Sequence, residues 1–329
     1  MKRLRILFHG FRHGHIDGLY RRVAGADYAE VVGCIEADAR ARARAQSVLG
    51  AEFSSATYEE WLCSDMDAVA VGDAYGDRGG VIIKALEAGK HVIADKPFCT
   101  DLTELARIRE LCEEKGLILT CMLDLRYLPQ VQRARQILQD GMLGAVRNVA
   151  FNGQHCMDYA HRPAWYFEKG KHGGTVNDLA IHGIDLVRML TGMEFSRIDA
   201  ARTWNAYATR HPDFKDAAIF MAQLENGAGV LADVSYSAPS QAFSMPTYWE
   251  FRIWCERGLM TFCYTDGSVT LYGEGAAAPV VLAGIPCERD WLSDFAADIE
   301  TGHIAATRDL MCSAETALRI QKMAEKGET

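Results

Sequence analysis

The chain has no lysine- and arginine-rich block, and its 35 basic residues are outnumbered by 44 acidic ones for a net charge of −9. That balance disfavours nucleic acid or an anionic membrane as the main partner. Among its ten cysteines no CxxC pair or Cys/His finger spacing occurs, so neither a zinc finger nor a disulfide framework is signalled. Cys34, Cys121 and Cys255 sit inside apolar runs instead and read as buried thiols of a reducing compartment. No apolar run approaches the length of a membrane span. The basic start is followed only by Ile6-Leu7-Phe8, too short for a signal-peptide core. The expectation is a cytoplasmic protein. There is no internal repeat and no low-complexity segment. What is there is ordinary for a well-packed enzyme of one or two domains: 329 residues, 49% apolar and 24% charged.

The first third alternates short apolar runs with helical stretches. Strands are expected at Ile6–Phe8, Val31–Ile35, Ala68–Val71, His91–Ala94 and Leu117–Met122, with helices around Ile16–Ala24, Ala37–Leu49, Gly79–Ala88 and Leu102–Lys115. Wholly apolar strands separated by helices indicate a doubly wound, Rossmann-like parallel sheet covered on both faces. After a helix near Pro129–Asp140 strands dominate from Val146 to about Leu282, interrupted by one helix near Val176–Leu190. Asn226-Gly227 is a strong hairpin signal between Asp216–Leu224 and Val230–Tyr236. This part reads as an α+β domain with a large, mostly antiparallel open sheet. The expected division is 1–124, 125–289, and C-terminal helices over 290–329 returning to the first domain.

The turn after the first strand reads Gly10-Phe11-Arg12-His13-Gly14-His15. A dinucleotide fingerprint would place glycines at 10, 12 and 15; only Gly10 is one, and Gly14 restores some backbone freedom one residue early. Arg12 either contacts phosphate or blocks the site. Glu36, ending the second strand, has the spacing of the carboxylate that binds a ribose 2′-hydroxyl and repels a 2′-phosphate, which favours NAD over NADP. The alternation of Arg40, Arg42 and Arg44 with alanine reads as a solvated helix face.

Asp95-Lys96-Pro97 follows the fourth strand, at the sheet edge where doubly wound folds bind ligands. An ammonium there can stabilise an alkoxide; an exposed turn lysine is the bland alternative. Asp178, His182 and Asp185 are spaced i, i+4, i+7 and share one helix face. A histidine with a carboxylate one turn away suits proton abstraction from an alcohol at neutral pH; a capping aspartate and a satisfied core histidine is the alternative. No further ligand is signposted for a metal, and none is expected.

Several segments together resemble one family. Tyr58-Glu59-Glu60-Trp61-Leu62 before Asp67-Ala68-Val69 looks like its lead into a third strand. Glu87-Ala88-Gly89-Lys90-His91-Val92 with Asp95-Lys96-Pro97 resembles its AGKHV…EKP signature, with Asp for Glu. Arg126-Tyr127 with Pro129, Gly141-Met142-Leu143-Gly144, and Gly173-Gly174 with Asp178, His182 and Asp185 match its later motifs in order. By these the chain is identified as a member of the glucose–fructose oxidoreductase/inositol dehydrogenase (Gfo/Idh/MocA) family. The resemblance implies an NAD(H)-dependent oxidoreductase acting on a hydroxyl of a sugar, sugar acid or polyol, with Lys96, Asp178 and His182 as the catalytic set. It also implies a homodimer or homotetramer built on the sheet. Cofactor contacts are then expected from Gly10, Arg12, His13, Gly14, His15, Glu36, Asp73, Arg78, Asp95, Lys96 and Pro97. Arg126, His155, Arg162 and Trp165 join Asp178 and His182 as candidates for substrate, Arg162 for a carboxylate and Trp165 for a sugar face. The family's TPN..H loop is replaced by Asp73-Ala74-Tyr75-Gly76-Asp77-Arg78. An NAD-dependent hydrolase or lyase with transient oxidation, and a non-catalytic dinucleotide-binding regulator, are the competing readings.

Overall fold

A computed structural model describes residues 3–239, 245 and 247–327, and they fall into two compact units. The first comprises the chain up to Met122, Pro163–Gly173 and Trp291–Cys312; the second comprises Leu123–Arg162, Gly174–Asp290 and the chain from Ser313 on.

In the first unit, strands β1 (Leu4–His9), β2 (Ala29–Ile35), β3 (Ala68–Val71), β4 (His91–Ala94) and β5 (Leu119–Cys121) form a parallel sheet in the order β2-β1-β3-β4-β5. Strands β3 and β4 are almost wholly buried, as uninterrupted apolar runs must be when helices cover a sheet. The intervening helices are α1 (His15–Ala24), α2 (Ala39–Leu49), α3 (Tyr58–Leu62), α4 (Tyr75–Glu87) and α5 (Leu102–Lys115). Their ends follow local chemistry. Asp38 and Asp101 accept from backbone N–H groups at the starts of α2 and α5, and Gly50 and Gly116 close those helices. The Tyr58–Leu62 segment is not a plain lead into a strand: Thr57 and Glu60 form a capping box that nucleates α3. Helix α4 begins at Tyr75, not Gly79; the Gly79-Gly80 pair depresses helix propensity in the sequence, yet the backbone stays helical through it. Helix α8 (Trp291–Thr301) belongs to this unit.

The second unit carries an eight-stranded sheet in the order β13-β12-β11-β10-β6-β9-β8-β7. Its strands are β6 (Val146–Cys156), β7 (Phe195–Trp204), β8 (Ala217–Leu224), β9 (Gly229–Ala238), β10 (Phe251–Cys255), β11 (Gly258–Cys263), β12 (Asp266–Gly273) and β13 (Val280–Ala283). Only β6 and β9 pair in parallel; every other neighbouring pair is antiparallel. The Asn226-Gly227 turn joins β8 to β9 as the sequence pattern requires. Helices α6 (Pro129–Gln139) and α7 (Ile181–Thr191) belong here, and α9 (Ala305–Lys326) passes from the first unit to the second along its length. The helix expected over Val176–Leu190 is interrupted: Val176–Ala180 is a π-helical turn leading into α7, a local widening that recurs at functional sites.

Candidate active site

In the first unit, β1 delivers the chain into the turn that opens α1. Gly10 has φ +80°, and a Cβ there would lie 2.5 Å from the Asp73 carboxyl carbon. A side chain is therefore excluded on both backbone and steric grounds. Asp73 is fixed from the other side, 2.8 Å from His9 Nδ1. Glu36 is buried and braces the same turn: its carboxylate accepts from Phe11 N at 2.5 Å and Asp38 N at 2.7 Å. Burial pushes its pKa up, against those two bonds. Arg12 does not fill the turn; its side chain is 29% exposed and its guanidinium lies 3.7 Å from Asp38. Arg40 and Arg42 are exposed, whereas Arg44 bonds Asp17 on α1 and the Phe11 carbonyl at 3.2 Å, so the arginine row is not wholly a solvated face.

Behind this turn lies a buried polar centre. Asp95 is fully buried and accepts from His13 Nδ1 (2.8 Å), His15 Nδ1 (3.0 Å) and Arg78 Nη2 (2.8 Å). Burial opposes its ionisation, but Arg78 with His15 and His13 holds it well below the usual carboxylate range. A carboxylate only accepts, so His13 carries its proton on Nδ1 and its Nε2 accepts from a tyrosine hydroxyl. Tyr166 and Tyr75 stand 3.2 and 3.3 Å away, 2.6 Å from each other. Burial lowers the His13 pKa to about 3, leaving the ring neutral. His13, His15 and Asp95 offer three ligand-type atoms within 4.8 Å of one another. Arg78 places a fixed positive charge on the shared carboxylate, which opposes a cation there. Lys96 is buried beside this centre, its Nζ 6.0 Å from the Tyr75 ring centroid, and the Lys96–Pro97 peptide is cis.

Residues 163–173 are strapped to the same turn. Trp165 Nε1 donates to the Arg12 carbonyl at 3.1 Å, and Gly76 N donates to the Lys171 carbonyl at 2.8 Å. Trp165 is 3% exposed and packs against Tyr75 with centroids 4.9 Å apart. The sequence singled out Trp165 and His13 but not Tyr75 or Tyr166, whose hydroxyls have no signature of their own.

In the second unit, the π-helical turn and the first turn of α7 present Asp178 and His182. Asp178 is 1% exposed and accepts a hydrogen bond from the Tyr236 hydroxyl. The His182 ring meets Trp249 edge to face, centroids 5.4 Å apart. Trp249 holds φ +50°, a strained conformation for a bulky residue. Arg162 lies over the Tyr236 ring at 5.4 Å and donates to the Met157 and Cys156 carbonyls, with the His155 ring 6.3 Å from Tyr236. Asp178, Tyr236, Arg162 and His155 thus form one group. Asp185 and Arg126 stand apart from it as an ion pair at 2.5 Å that Ser313 also joins. Tyr236 was missed because it lies within β9 on the buried face, where an aromatic reads as core. Of the aromatic residues between positions 248 and 254, Tyr248, Trp249 and Phe251 are buried and Trp254 is 51% exposed.

Residues 10–123 match the family described as oxidoreductase family, NAD-binding Rossmann fold, and residues 131–261 match the GFO/IDH/MocA C-terminal domain. The chain belongs to the Gfo/Idh/MocA oxidoreductase family. Among its Gfo/Idh/MocA relatives, levoglucosan dehydrogenase of Pseudarthrobacter phenanthrenivorans is 28% identical over 176 residues. That stretch is 51% of this chain and 44% of the relative, so the chain spans less than half the length of this curated match. UDP-N-acetylglucosamine 3-dehydrogenase of Acidithiobacillus ferrooxidans is 26% identical over 79% of this chain and 77% of its own. The solved structure of a levoglucosan dehydrogenase in complex with NADH superposes with a TM-score of 0.80 at 20% identity, covering 99% of this chain and 98% of that one. This likeness shows the fold. NAD(H) is the cofactor of such a Rossmann domain, and the residues present here fit it. The space a Cβ of Gly14 would enter is clear to 4 Å, which leaves that end of the turn open, and the Glu36 oxygens retain acceptor capacity beyond their two backbone bonds. No described helix is long and apolar enough to cross a membrane.

Proposed function

We propose that the protein is an NAD(H)-dependent dehydrogenase or reductase acting on a hydroxyl-bearing carbon of a sugar, sugar acid or polyol. The observation that carries this reading is that Asp178 and His182 are both presented at the widened start of α7, in a chain whose family NAD-binding domain carries a buried lysine on its β4-to-α5 turn. Bound nicotinamide supplies the hydride acceptor. His182 takes the hydroxyl proton, Lys96 stabilises the alkoxide, and Asp178, steadied by Tyr236, orients the substrate hydroxyl. Arg162 and His155, grouped with Tyr236, line the substrate side. Gly10, Arg12, His13, Gly14, His15, Glu36 and Asp73 shape the nucleotide side, with the buried Arg78, Asp95 and Pro97 behind them. Trp165 acts through its hold on Arg12.

The substrate class follows the relatives' names, levoglucosan and UDP-N-acetylglucosamine dehydrogenases. The cysteines are free thiols, six of them buried, in keeping with a reducing cytoplasm. The exposed face of the large sheet carries Met221, Leu231 and Trp254, each half exposed, and is the proposed interface of a homodimer or homotetramer.

The test is NADH absorbance on mixing the protein and NAD with levoglucosan, myo-inositol and a panel of sugar acids. Turnover of at least one compound that is lost in Lys96→Met is expected. Failure to bind NAD or NADP, with no turnover across the panel, would refute the reading.

A further inference from the structure

Arg78 is the largest fully buried side chain of the described residues, and its donors are all directed at two turns on the carboxyl edge of the first sheet. Nε donates to the Asp73 carbonyl at 2.8 Å, on the turn after β3. Nη1 donates to the carbonyls of Asp95 at 2.8 Å and Pro97 at 2.9 Å, the residues on either side of Lys96. Nη2 donates to the Asp95 carboxylate at 2.8 Å. The guanidinium lies over the Tyr75 ring at 4.5 Å, the same ring that stands 6.0 Å from Lys96 Nζ.

Burying a guanidinium is costly unless each donor is matched, and an apolar side chain would fill the same volume without that cost. What the fork alone supplies is a rigid span: one nitrogen reaches both carbonyls flanking Lys96 while the next holds the carboxylate that His13 and His15 share. A lysine has one nitrogen with three donors, too few to hold both carbonyls, the Asp95 carboxylate and the Asp73 carbonyl together.

We propose that Arg78 is a positioning residue. It clamps the backbone on both sides of Lys96, and through Asp95 it ties that turn to the His13–His15 turn, so that the ammonium is presented in one fixed direction. The proposal rests on the reading of Lys96 as a reacting group, and the experiment separates the two.

Hydrogen–deuterium exchange of the full-length wild type, Arg78→Lys and Arg78→Met is followed in peptides spanning residues 91–101, alongside kcat and KM with NAD and levoglucosan or myo-inositol. For Arg78→Met, exchange at residues 95–99 is expected to rise about tenfold with β1 and α5 unchanged. Its kcat should fall about a hundredfold with KM within about threefold. Arg78→Lys should be intermediate in both. Unchanged exchange at 95–99 would overturn the proposal. So would a rise spread equally over the first unit in both variants, which marks a plain core residue. If wild type oxidises neither compound, the exchange result decides alone. Undiminished turnover by Lys96→Met would defeat the assigned role of Lys96 while leaving a local exchange effect of Arg78 intact.

Discussion

His182 is the residue on which the proposed chemistry turns, and its replacement separates proton transfer from folding. His182→Asn keeps a polar side chain against Trp249 but removes the base. It is expected to lower kcat by about 10²–10⁴-fold with an unchanged melting temperature; retention of full activity would remove His182 from the reaction. Tyr236→Phe tests the neighbour. Loss of its bond to the buried Asp178 is expected to cost about 1–3 kcal/mol of stability, read by chemical denaturation, and to lower kcat as Asp178 loses its support. His13 makes a different prediction. Its folded pKa, about 3, lies below the ordinary value of 6.5. The unfolded chain takes up a proton that the folded chain refuses, so the stability His13 contributes is present above pH 6.5 and is lost as pH falls from 6.5 towards 3. Within that window the slope from this one group reaches about 1.4 kcal/mol per pH unit. His13→Asn, which retains a donor towards Asp95, should show a correspondingly shallower acid slope in melts taken across that range. Identical slopes for the two proteins would show that His13 is not held neutral.

Elements were legible where one force decides them. Strands β3 and β4 and helix α5 lie where the sequence pattern places them, because sheet burial and helix ends are encoded within a few residues. The start of α4 was not, since Gly79-Gly80 argues against a helix that tertiary packing nonetheless enforces. Nor was the π-helical turn, because the i, i+4 spacing of Asp178 and His182 looks the same in a straight α-helix. Candidate residues could be named from sequence where their chemistry is distinctive, as at Lys96, Asp178, His182 and His13. Tyr75, Tyr166 and Tyr236 could not be named from sequence, because their contacts exist only through partners distant in the chain, and neither could the particular carbonyls that Arg78 reaches. Helix α7 approaches β6 closely enough that a Cβ on Gly183 would collide with the Phe151 ring. Gly183→Ala should therefore destabilise the protein by about 1–3 kcal/mol, and Phe151→Leu in that background should recover part of the loss. Equal melting of Gly183→Ala and wild type would mean that the helix tolerates a greater separation from the sheet.

At the scale of the whole molecule the question is how a sheet of eight strands keeps one face in water. Across the strands the register sets Met221 opposite Leu231, Leu231 opposite Ala150, and Ala150 opposite Arg252, while Trp254 pairs with Asn148 and Leu259, and Leu259 with Tyr272. The large apolar members of these rows, Met221, Leu231, Trp254 and Tyr272, are each 46% exposed or more, with Ile219 beside them on β8. Apolar side chains gathered in two rows on one sheet face are more than the scattered exposed side chains an ordinary surface carries. The net charge of −9 opposes random association but does not prevent a specific apolar contact. The self-association proposed for this face has a direct test: sedimentation at micromolar concentration should show a dimer or tetramer, and Leu231→Glu with Trp254→Glu should release monomers, since each buried carboxylate would go unpaired. The double variant should keep its fold, because both positions already face solvent within one chain. A wild type that sediments as a monomer, or an assembly indifferent to the two glutamates, would place any interface elsewhere.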